Sequence, residues 1–412
     1  MLTYANDIFV WDNGVNYKMT TNNFKKVLIF SQEFPPQSGG AGTYVFELAN
    51  GISKIGHAVT LLVGYEGKSL KTDSHLDKKI KVKSYNFDSK FWFTHWHNYL
   101  EKICATEKFD LLIIANYTAI ISASKLDKIK LPPYFLTIHG ADIDYFFGNT
   151  RHLKHYILFS RKKIINLFNN AKKIIAVSNY LKNDFLKYNI NSKNCHTVYH
   201  GIDLNKFSDL RLLDNKSKSK QLNPRINDDD FVILCVARLA EDKGHDILIL
   251  AMKEVILSFP NAKLFFVGDG PLRKDIEDMI IQNNLINNVF LVGAIDRKNI
   301  NYFYSECDIF TMVSRRKAET FGIVYLEAMA FKKPIIAAEY AAVPEIIMNK
   351  INGFLVEPTS AQKVAEKIIY LFKNKEIRIK MGLNGFELLN TKFNNVEMAK
   401  NTMKLLQTSS NK

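Results

Sequence analysis

The chain has 412 residues, of which 47% are hydrophobic and 24% charged, and it carries a formal net charge of +15 with four cysteines. That length exceeds one ordinary core and predicts two domains or more, while no apolar run reaches the ~18–20 residues of a membrane span. Residues 1–200 hold 26 basic against 15 acidic side chains, a net of +11, whereas the remainder nets only +4, so any partner drawn by charge is an anion meeting the first half.

The start, MLTYANDIFVWDNG, has neither the basic end nor the apolar centre of a signal peptide, so a cytoplasmic protein is expected. Cys104, Cys195, Cys235 and Cys307 form no C-x-x-C pair, and Cys235 lies inside the apolar run FVILCV. Buried free thiols follow, with no disulfide framework and no zinc site. Residues 1–24 lack a clear period and are set apart as an N-terminal extension, an extra edge strand or an adapting arm. From Lys25 the pattern settles into strand KKVLIF, the loop SQEFPPQSGGAG, a helical run TYVFELANGISKIG and a second strand HAVTLLV. This is the opening of a doubly wound sheet.

Within that opening, Gly39, Gly40, Ala41 and Gly42 stand between strand and helix, where a phosphate loop would be. They lack G-x-G-x-x-G spacing, and the chain has no G-x-x-x-x-G-K-[ST], so a dinucleotide dehydrogenase and a P-loop NTPase are disfavoured. The aromatic stretch 91–97, FWFTHWH, suits ordinary packing, with sugar stacking, lipid contact or a His-x-His metal pair on a strand as alternatives. Further strands are expected at 110–115, 134–138, 172–177 and 196–199. His139 and Gly140 follow the strand YFLTI, and glycine there permits close approach of a ligand. Asp142 and Asp144 mimic an acidic metal motif, as do Asp228, Asp229 and Asp230, but basic residues can replace a metal in neutralising a diphosphate, and no metal is expected.

Residues 151–200 contain ten basic side chains and one acidic one. Within them, 151–173 has the pattern of a basic amphipathic helix, packed by one face with its charged side towards anionic lipid. No nucleic-acid motif accompanies this charge. The first domain is assigned to 25–203. Residues 204–230, polar and without period, read as a linker. A second β/α series then occupies 231–390, with strands at 231–237, 263–268, 289–293, 308–313, 333–338 and 353–356, and residues 391–412 form a terminal helical segment. The fold class is α/β, two Rossmann-like domains facing a cleft, with ligands at the carboxyl ends of the strands.

Two segments of the second domain carry the strongest chemistry. In ARLAEDKG, directly after its first strand, Arg238 can fork onto phosphate oxygens and Lys243 adds a compact charge, which a diphosphate leaving group needs. In SRRKAETFGIVYLEAMAF, a strand gives way to a loop and then a helix. There the N–H groups of Gly322, Ile323 and Val324 open a helix start that favours an anion. Glu319 and Glu327 flank this seat, and carboxylates beside a phosphate are suited to sugar hydroxyls.

Taken together, the glycine-rich loop, HGAD, AVSNYLK, HGID, ARLAEDKG, VGDGPLR, ETFGIVYLE and NGFLVEP resemble glycosyltransferase family 4 from about Lys25 onward. The resemblance implies the GT-B fold and retaining, metal-independent transfer of a hexose-type sugar. Glu327 would hold the ribose and Glu319 the donor sugar, with His139 beside that sugar as the second catalytic group. Arg238, Lys243, Gly40, Phe321, Gly322, Ile323 and Val324 would grip the diphosphate, and Ile295 would meet the base. Gly39 and Asp142 would lie on the acceptor side. The last helix, from Asn395 to Gln407, would cross back onto the first domain. The expected donor is a UDP-sugar rather than a GDP-sugar, and the expected acceptor a glycan or lipid-linked molecule of polysaccharide or lipopolysaccharide assembly, met at the inner face of the cell membrane. A sugar-nucleotide epimerase or hydrolase of the same fold, and a non-catalytic sugar-nucleotide or glycan binder, are the alternatives. The basic loop SRRKAETFG departs from the small residues usual in the family, which leaves its role open.

Overall fold

Val, Ile, Leu and Phe dominate the strands because both faces are covered, the condition that turns alternation into continuous apolar runs. The computed structural model describes residues 7–12, 15–20, 24–35, 39–65, 75–86, 92–126, 131–148, 161–207, 229–315 and 320–407. It divides into two compact units, Met1–Asp203 with Asn394–Lys412, and Leu204–Phe393.

The first unit holds a seven-stranded parallel sheet of order β5-β4-β3-β6-β7-β8-β9. Its strands are β3 (Lys26–Ser31), β4 (Ala58–Tyr65), β5 (Lys81–Asn86), β6 (Leu111–Ile114), β7 (Tyr134–Ile138), β8 (Lys173–Ala176) and β9 (Cys195–Thr197). Ahead of them, β1 (Asp7–Asp12) and β2 (Val15–Thr20) form their own antiparallel pair, with Asp12 opposite Val15, and do not extend the larger sheet. The helices are α1 (Gly40–Lys54), α2 (Trp92–Thr106), α3 (Tyr117–Ala123), α4 (Ala141–Phe147), α5 (Arg161–Asn170) and α6 (Asn179–Leu186). Residues 92–106 are helical and form no strand. The strand-borne metal pair is therefore excluded. Trp96 is buried, edge-on to Tyr85 at 5.2 Å.

In α5 the buried residues are Ile164, Leu167 and Phe168, and Phe168 packs on Phe147 and Phe185 at 5.2 and 5.7 Å. Arg161, Lys162 and Lys163 are exposed. The first part of the expected amphipathic segment, 151–160, lies outside the described residues.

The second unit holds a six-stranded parallel sheet of order β12-β11-β10-β13-β14-β15. These are β10 (Phe231–Val236), β11 (Ala262–Val267), β12 (Val289–Gly293), β13 (Ile309–Met312), β14 (Ile335–Ala338) and β15 (Gly353–Val356). Helices α7 (His245–Ser258), α8 (Arg273–Gln282), α9 (Arg297–Glu306), α10 (Ile323–Ala330), α11 (Ala361–Lys373) and α12 (Lys375–Thr391) cover it. Cys195, Cys235 and Cys307 are buried thiols.

After Phe393 the chain re-enters the first unit as α13 (Asn395–Gln407), which packs on α1. Two glycines make room for it, because a Cβ at Gly51 or Gly201 would collide with the backbone of Asn395 or Asn394. The buried Glu47 carboxylate then accepts from the Asp203 N–H at 3.0 Å and the Asn395 amide at 3.1 Å, so one side chain ties α1 to both chain passes. No described helix is long and apolar enough to cross a membrane.

Candidate active site

In the sheet of the second unit, the chain runs outward from β10 to β12 and then restarts at β13 on the other side. The connections from β10 to β11 and from β13 to β14 therefore run to opposite sides, and this switch point is where such sheets bind ligands, at the carboxyl ends of the strands. The β10 loop carries Arg238, exposed and in no ion pair with a described carboxylate, and Lys243, half-buried in the turn Glu241–Lys243 with Asp242 at 3.9 Å. The two loops meet closely at Gly244, whose φ is +74° and whose missing Cβ would strike the Val313 carbonyl. Gly268 and Gly270 of VGDGPLR do the same for the carbonyls of Ala237 and Leu239.

Arg315 then locks the β13 loop to the β10 loop. Its guanidinium donates to both carboxylate oxygens of Asp246, at 3.1 and 3.0 Å, and to the Glu241 carbonyl at 2.8 Å, while its N–H reaches the Asp242 carbonyl at 2.7 Å. The basic character of SRRKAETFG thus has a physical reason in its second residue. Glu319 belongs to 316–319, outside the described residues.

At the head of α10, Gly322 has φ +90°, a conformation that glycine adopts at no steric cost. The neighbouring Phe321 is buried against Phe393 at 5.9 Å. Ile323 and Val324 form the partly open first turn. One turn further, Glu327 accepts a hydrogen bond from the Tyr304 hydroxyl at 2.8 Å. Tyr304 is fully buried and stacked on Phe310 and Phe331 at 5.7 and 5.8 Å, so it holds that carboxylate in one orientation. Burial and the Glu327 charge keep its phenol protonated, with the pKa well above the ordinary value. Ile295 follows β12, the edge strand, two strands away from β10.

The first unit repeats the arrangement, with its switch point between β3 and β6. His139, after β7, has Nε2 3.0 Å from the Ala115 carbonyl and 3.3 Å from the Thr137 hydroxyl, and its ring lies edge-on to Tyr44 at 4.9 Å. Burial lowers its pKa to about 4, against the raising effect of the Ala115 bond. Such a ring is neutral near pH 7, with Nε2–H donated to Ala115. The His139 backbone N–H in turn donates to the Asp142 carboxylate at 2.6 Å. Burial raises the Asp142 pKa to about 7; the His139 bond opposes this and the Glu33 charge adds to it.

Glu33 itself was not singled out by sequence reasoning. Its carboxylate accepts from the Gly42 N–H, and a Cβ at Gly39 would collide with it. The glycine-rich loop at the start of α1 already holds a carboxylate of its own chain. Burial raises the Glu33 pKa, so that Glu33, Asp142 and Tyr117 form a cluster in which each negative charge disfavours the next. Gly40, first residue of α1, is exposed beside it. A preceding acid in QEFPPQSGG was the available signal, but an isolated Glu six residues before a glycine has no characteristic spacing.

Residues 216–388 match the family described as Glycosyl transferases group 1, and residues 38–206 match Glycosyltransferase Family 4. The chain belongs to these glycosyltransferases. It is 30% identical over 267 residues to an uncharacterized glycosyltransferase of Methanocaldococcus jannaschii, covering 65% of this chain and 66% of that one. It is 29% identical over 271 residues to a capsular polysaccharide biosynthesis glycosyltransferase of Staphylococcus aureus, covering 64% and 67%. The crystal structure of Anabaena HepE in complex with UDP-glucose matches with a TM-score of 0.69 at 22% identity, over 93% of this chain and all of that one. The fold of this glycosyltransferase is accordingly GT-B, two Rossmann-like α/β domains.

The two units of the glycosyltransferase differ in electrostatic character. Arg238, Lys243, Gly322 and Glu327 gather at the switch point of the second sheet, a place suited to an anion bearing hydroxyls. Gly39, Gly40, His139 and Asp142 gather at that of the first, where a neutral imidazole and easily protonated carboxyls suit an uncharged polyol. Among the described residues no three His, Cys, Asp or Glu side chains converge as a metal-ligand set.

Proposed function

We propose that this glycosyltransferase moves a hexose-type sugar from a UDP-sugar to a glycan or lipid-linked acceptor in cell-surface polysaccharide or lipopolysaccharide assembly, with retention and without a metal. The observation that carries the donor assignment is the head of α10. A glycine at positive φ opens the helix, Glu327 is fixed by Tyr304 one turn inside, and Arg315 staples the loop after β13 to the loop of Arg238 and Lys243. The diphosphate sits at the helix start, where the N–H groups of Gly322, Ile323 and Val324 favour an anion. Arg238 and Lys243 supply the positive charge that a metal would otherwise bring. Glu327 accepts from the ribose hydroxyls and Glu319 from those of the sugar, while Ile295 offers backbone contacts to the base.

In the transfer, the bond between the anomeric carbon and the phosphate oxygen breaks, and its electron pair leaves with the diphosphate. The acceptor hydroxyl oxygen attacks the same face of that carbon, and its proton passes to the departing phosphate oxygen. His139 lies beside the sugar at its O6 hydroxyl, and Asp142 orients the acceptor. The UDP assignment draws on HepE, crystallised with UDP-glucose, and the polysaccharide assignment on the capsular relative. The exposed Arg161, Lys162 and Lys163 of α5 face an anionic membrane surface.

Thermal shift and turnover against UDP- and GDP-sugars in EDTA test this reading. A donor at 100 times its Kd adds about 2.7 kcal/mol of apparent stability. The expected outcome is stabilisation by UDP-sugars, lost in Glu327→Ala, with UDP released in EDTA. A folded protein that responds to neither nucleotide sinks the donor site, and turnover only with added metal sinks metal independence.

A further inference from the structure

A cavity of about 520 Å³ lies in the second unit where β15, the turn before it, α11 and α12 come together. Because β15 is the edge strand, two strands removed from β13, this cavity is distinct from the switch point and its loops. Helix α12 contributes Ile377, Lys380, Met381 and Asn384, the i, i+3, i+4, i+7 spacing of one helix face. The helix is held in place because Gly382 and Gly385 let it press on the Lys332 carbonyl and on Met329 of α10. The cavity is thus formed before any ligand arrives.

Its floor is apolar and aromatic, with Phe354 and Met381 buried and Tyr370 edge-on to Phe354 at 5.6 Å. The charge around that floor is of one sign. Lys350, Lys367 and Lys380 line the cavity and no carboxylate does, and Lys367 lies over the Phe354 ring at 5.2 Å. Neighbouring cations are compensated, Lys363 by Glu366 at 2.9 Å and Arg378 by Asp308 at 3.3 Å, whereas none of the three is within ion-pair distance of a described carboxylate. Lys350 also stands at φ +68°, a left-handed backbone position that glycine would occupy without strain. The turn has no need of a lysine there, so the strain points to a use for its ammonium group.

We infer that this cavity binds a phosphate ester of a ring-bearing small molecule, a sugar phosphate or a nucleotide, with the phosphate among Lys350, Lys367 and Lys380 and the ring on the floor of Phe354 and Tyr370. Three compact ammonium charges with no acid beside them select an anion over a neutral sugar. A volume of about 520 Å³ lies in the range of small-ligand sites and exceeds what a bare phosphate fills, so the anion carries a body. The floor sets the character of that body, since aromatic side chains offer their faces to flat or cyclic groups. Asn384 donates its amide to the Ile351 carbonyl at 2.9 Å, which leaves Oδ1 to accept from a hydroxyl or N–H of the ring. The inference does not rest on the donor or acceptor proposed above.

Methyl NMR of the full-length protein tests it, because the Ile377 and Met381 methyls report the cavity, Ile323 the head of α10 and Ile309 the sheet interior. The probes are glucose 1-phosphate and uridine monophosphate, with glucose, uridine and inorganic phosphate as comparators. At least one ester, at up to about 10 mM, should move the Ile377 and Met381 signals saturably, and which one does so identifies the body. Glucose and uridine should leave those signals still, and inorganic phosphate should bind about ten-fold more weakly than the ester. The triple variant Lys350→Gln, Lys367→Gln, Lys380→Gln should bind the ester about 30-fold more weakly, one part-exposed ion pair being lost at each position. Its Ile309 signal should stay where it is in the parent, which verifies folding. Lys350→Gly alone should weaken binding several-fold without loss of stability to urea, a combination that a merely structural lysine would not give. Unmoved Ile377 and Met381 signals with both esters, whether or not Ile323 shifts, would overturn the inference. So would equal affinity in the triple variant, or inorganic phosphate, glucose or uridine binding as well as the esters.

Discussion

Asp142 and His139 are three residues apart after β7, and burial drives their pKa values in opposite directions, to about 7 and about 4. The ordinary values are 3.8 and 6.5. A carboxyl raised in the folded state holds its proton more tightly there than in the unfolded chain. Its stabilising effect is complete at low pH and is lost as pH climbs through about 4 to 7. A histidine lowered in the folded state behaves oppositely, its contribution being complete above 6.5 and lost as pH falls towards 4. Each such proton changes stability by about 1.4 kcal/mol per pH unit, giving ceilings of about 4 kcal/mol for Asp142 and about 3 kcal/mol for His139. In the unmodified protein the two slopes cancel over most of that interval. Asp142→Asn, which keeps an acceptor for the His139 N–H, should therefore gain stability relative to the parent as pH rises from 4 to 7. His139→Gln should gain as pH falls from 6.5 to 4. All three tryptophans, Trp11, Trp92 and Trp96, belong to the first unit, so tryptophan fluorescence during urea unfolding reports this unit. Two variant curves parallel to the parent at every pH would refute the assignment of burial as the cause.

The remaining predictions concern loop geometry and packing. Arg315→Ala removes three guanidinium hydrogen bonds but leaves the backbone bond to Asp242, and since both partners are partly exposed the loss should be about 1 kcal/mol. Calorimetry should find donor affinity several-fold weaker, and the double variant with Asp246→Ala should cost little more; strict additivity would show that the staple carries no coupling. Tyr304→Phe keeps the stacked ring and deletes the donor to Glu327, so UDP affinity should fall about ten-fold, corresponding to ~1.4 kcal/mol. An unchanged Kd would mean that Glu327 is oriented by something else. Gly51→Ala forces a Cβ onto the Asn395 carbonyl and should cost about 1–3 kcal/mol of first-unit stability. Limited proteolysis should then release α13 faster than in the parent, and an unaltered digestion pattern would contradict that packing.

The strands of both sheets were legible because burial on both faces demands continuous apolar runs such as FVILCV and LLII. Strand β5 was not, since KVKSYN is at an edge with its lysines exposed, Val82 half-buried and Tyr85 buried. The β1–β2 pair also passed unread, although Asn13-Gly14 between two alternating segments is a strong hairpin signal. At the candidate site the division follows the same physics. Gly244 and Gly322 could be suspected because a left-handed backbone restricts residue type at that very position. Arg315 and Tyr304 could not, because each acts through a partner 69 or 23 residues away, and nothing in the local spacing specifies which carboxylate a buried hydroxyl or a guanidinium will meet. Glu33 falls between these cases. It is near the glycine loop in sequence, yet its effect depends on the fold bringing the segment after β7 near the loop after β3, across the intervening β6, so that Asp142 feels its charge. The glycines mark where a ligand can approach, while the tertiary partners decide the charge it meets there. A glycine before a helix can accordingly stand at the open helix start of α10 and in a carboxylate-filled loop at α1.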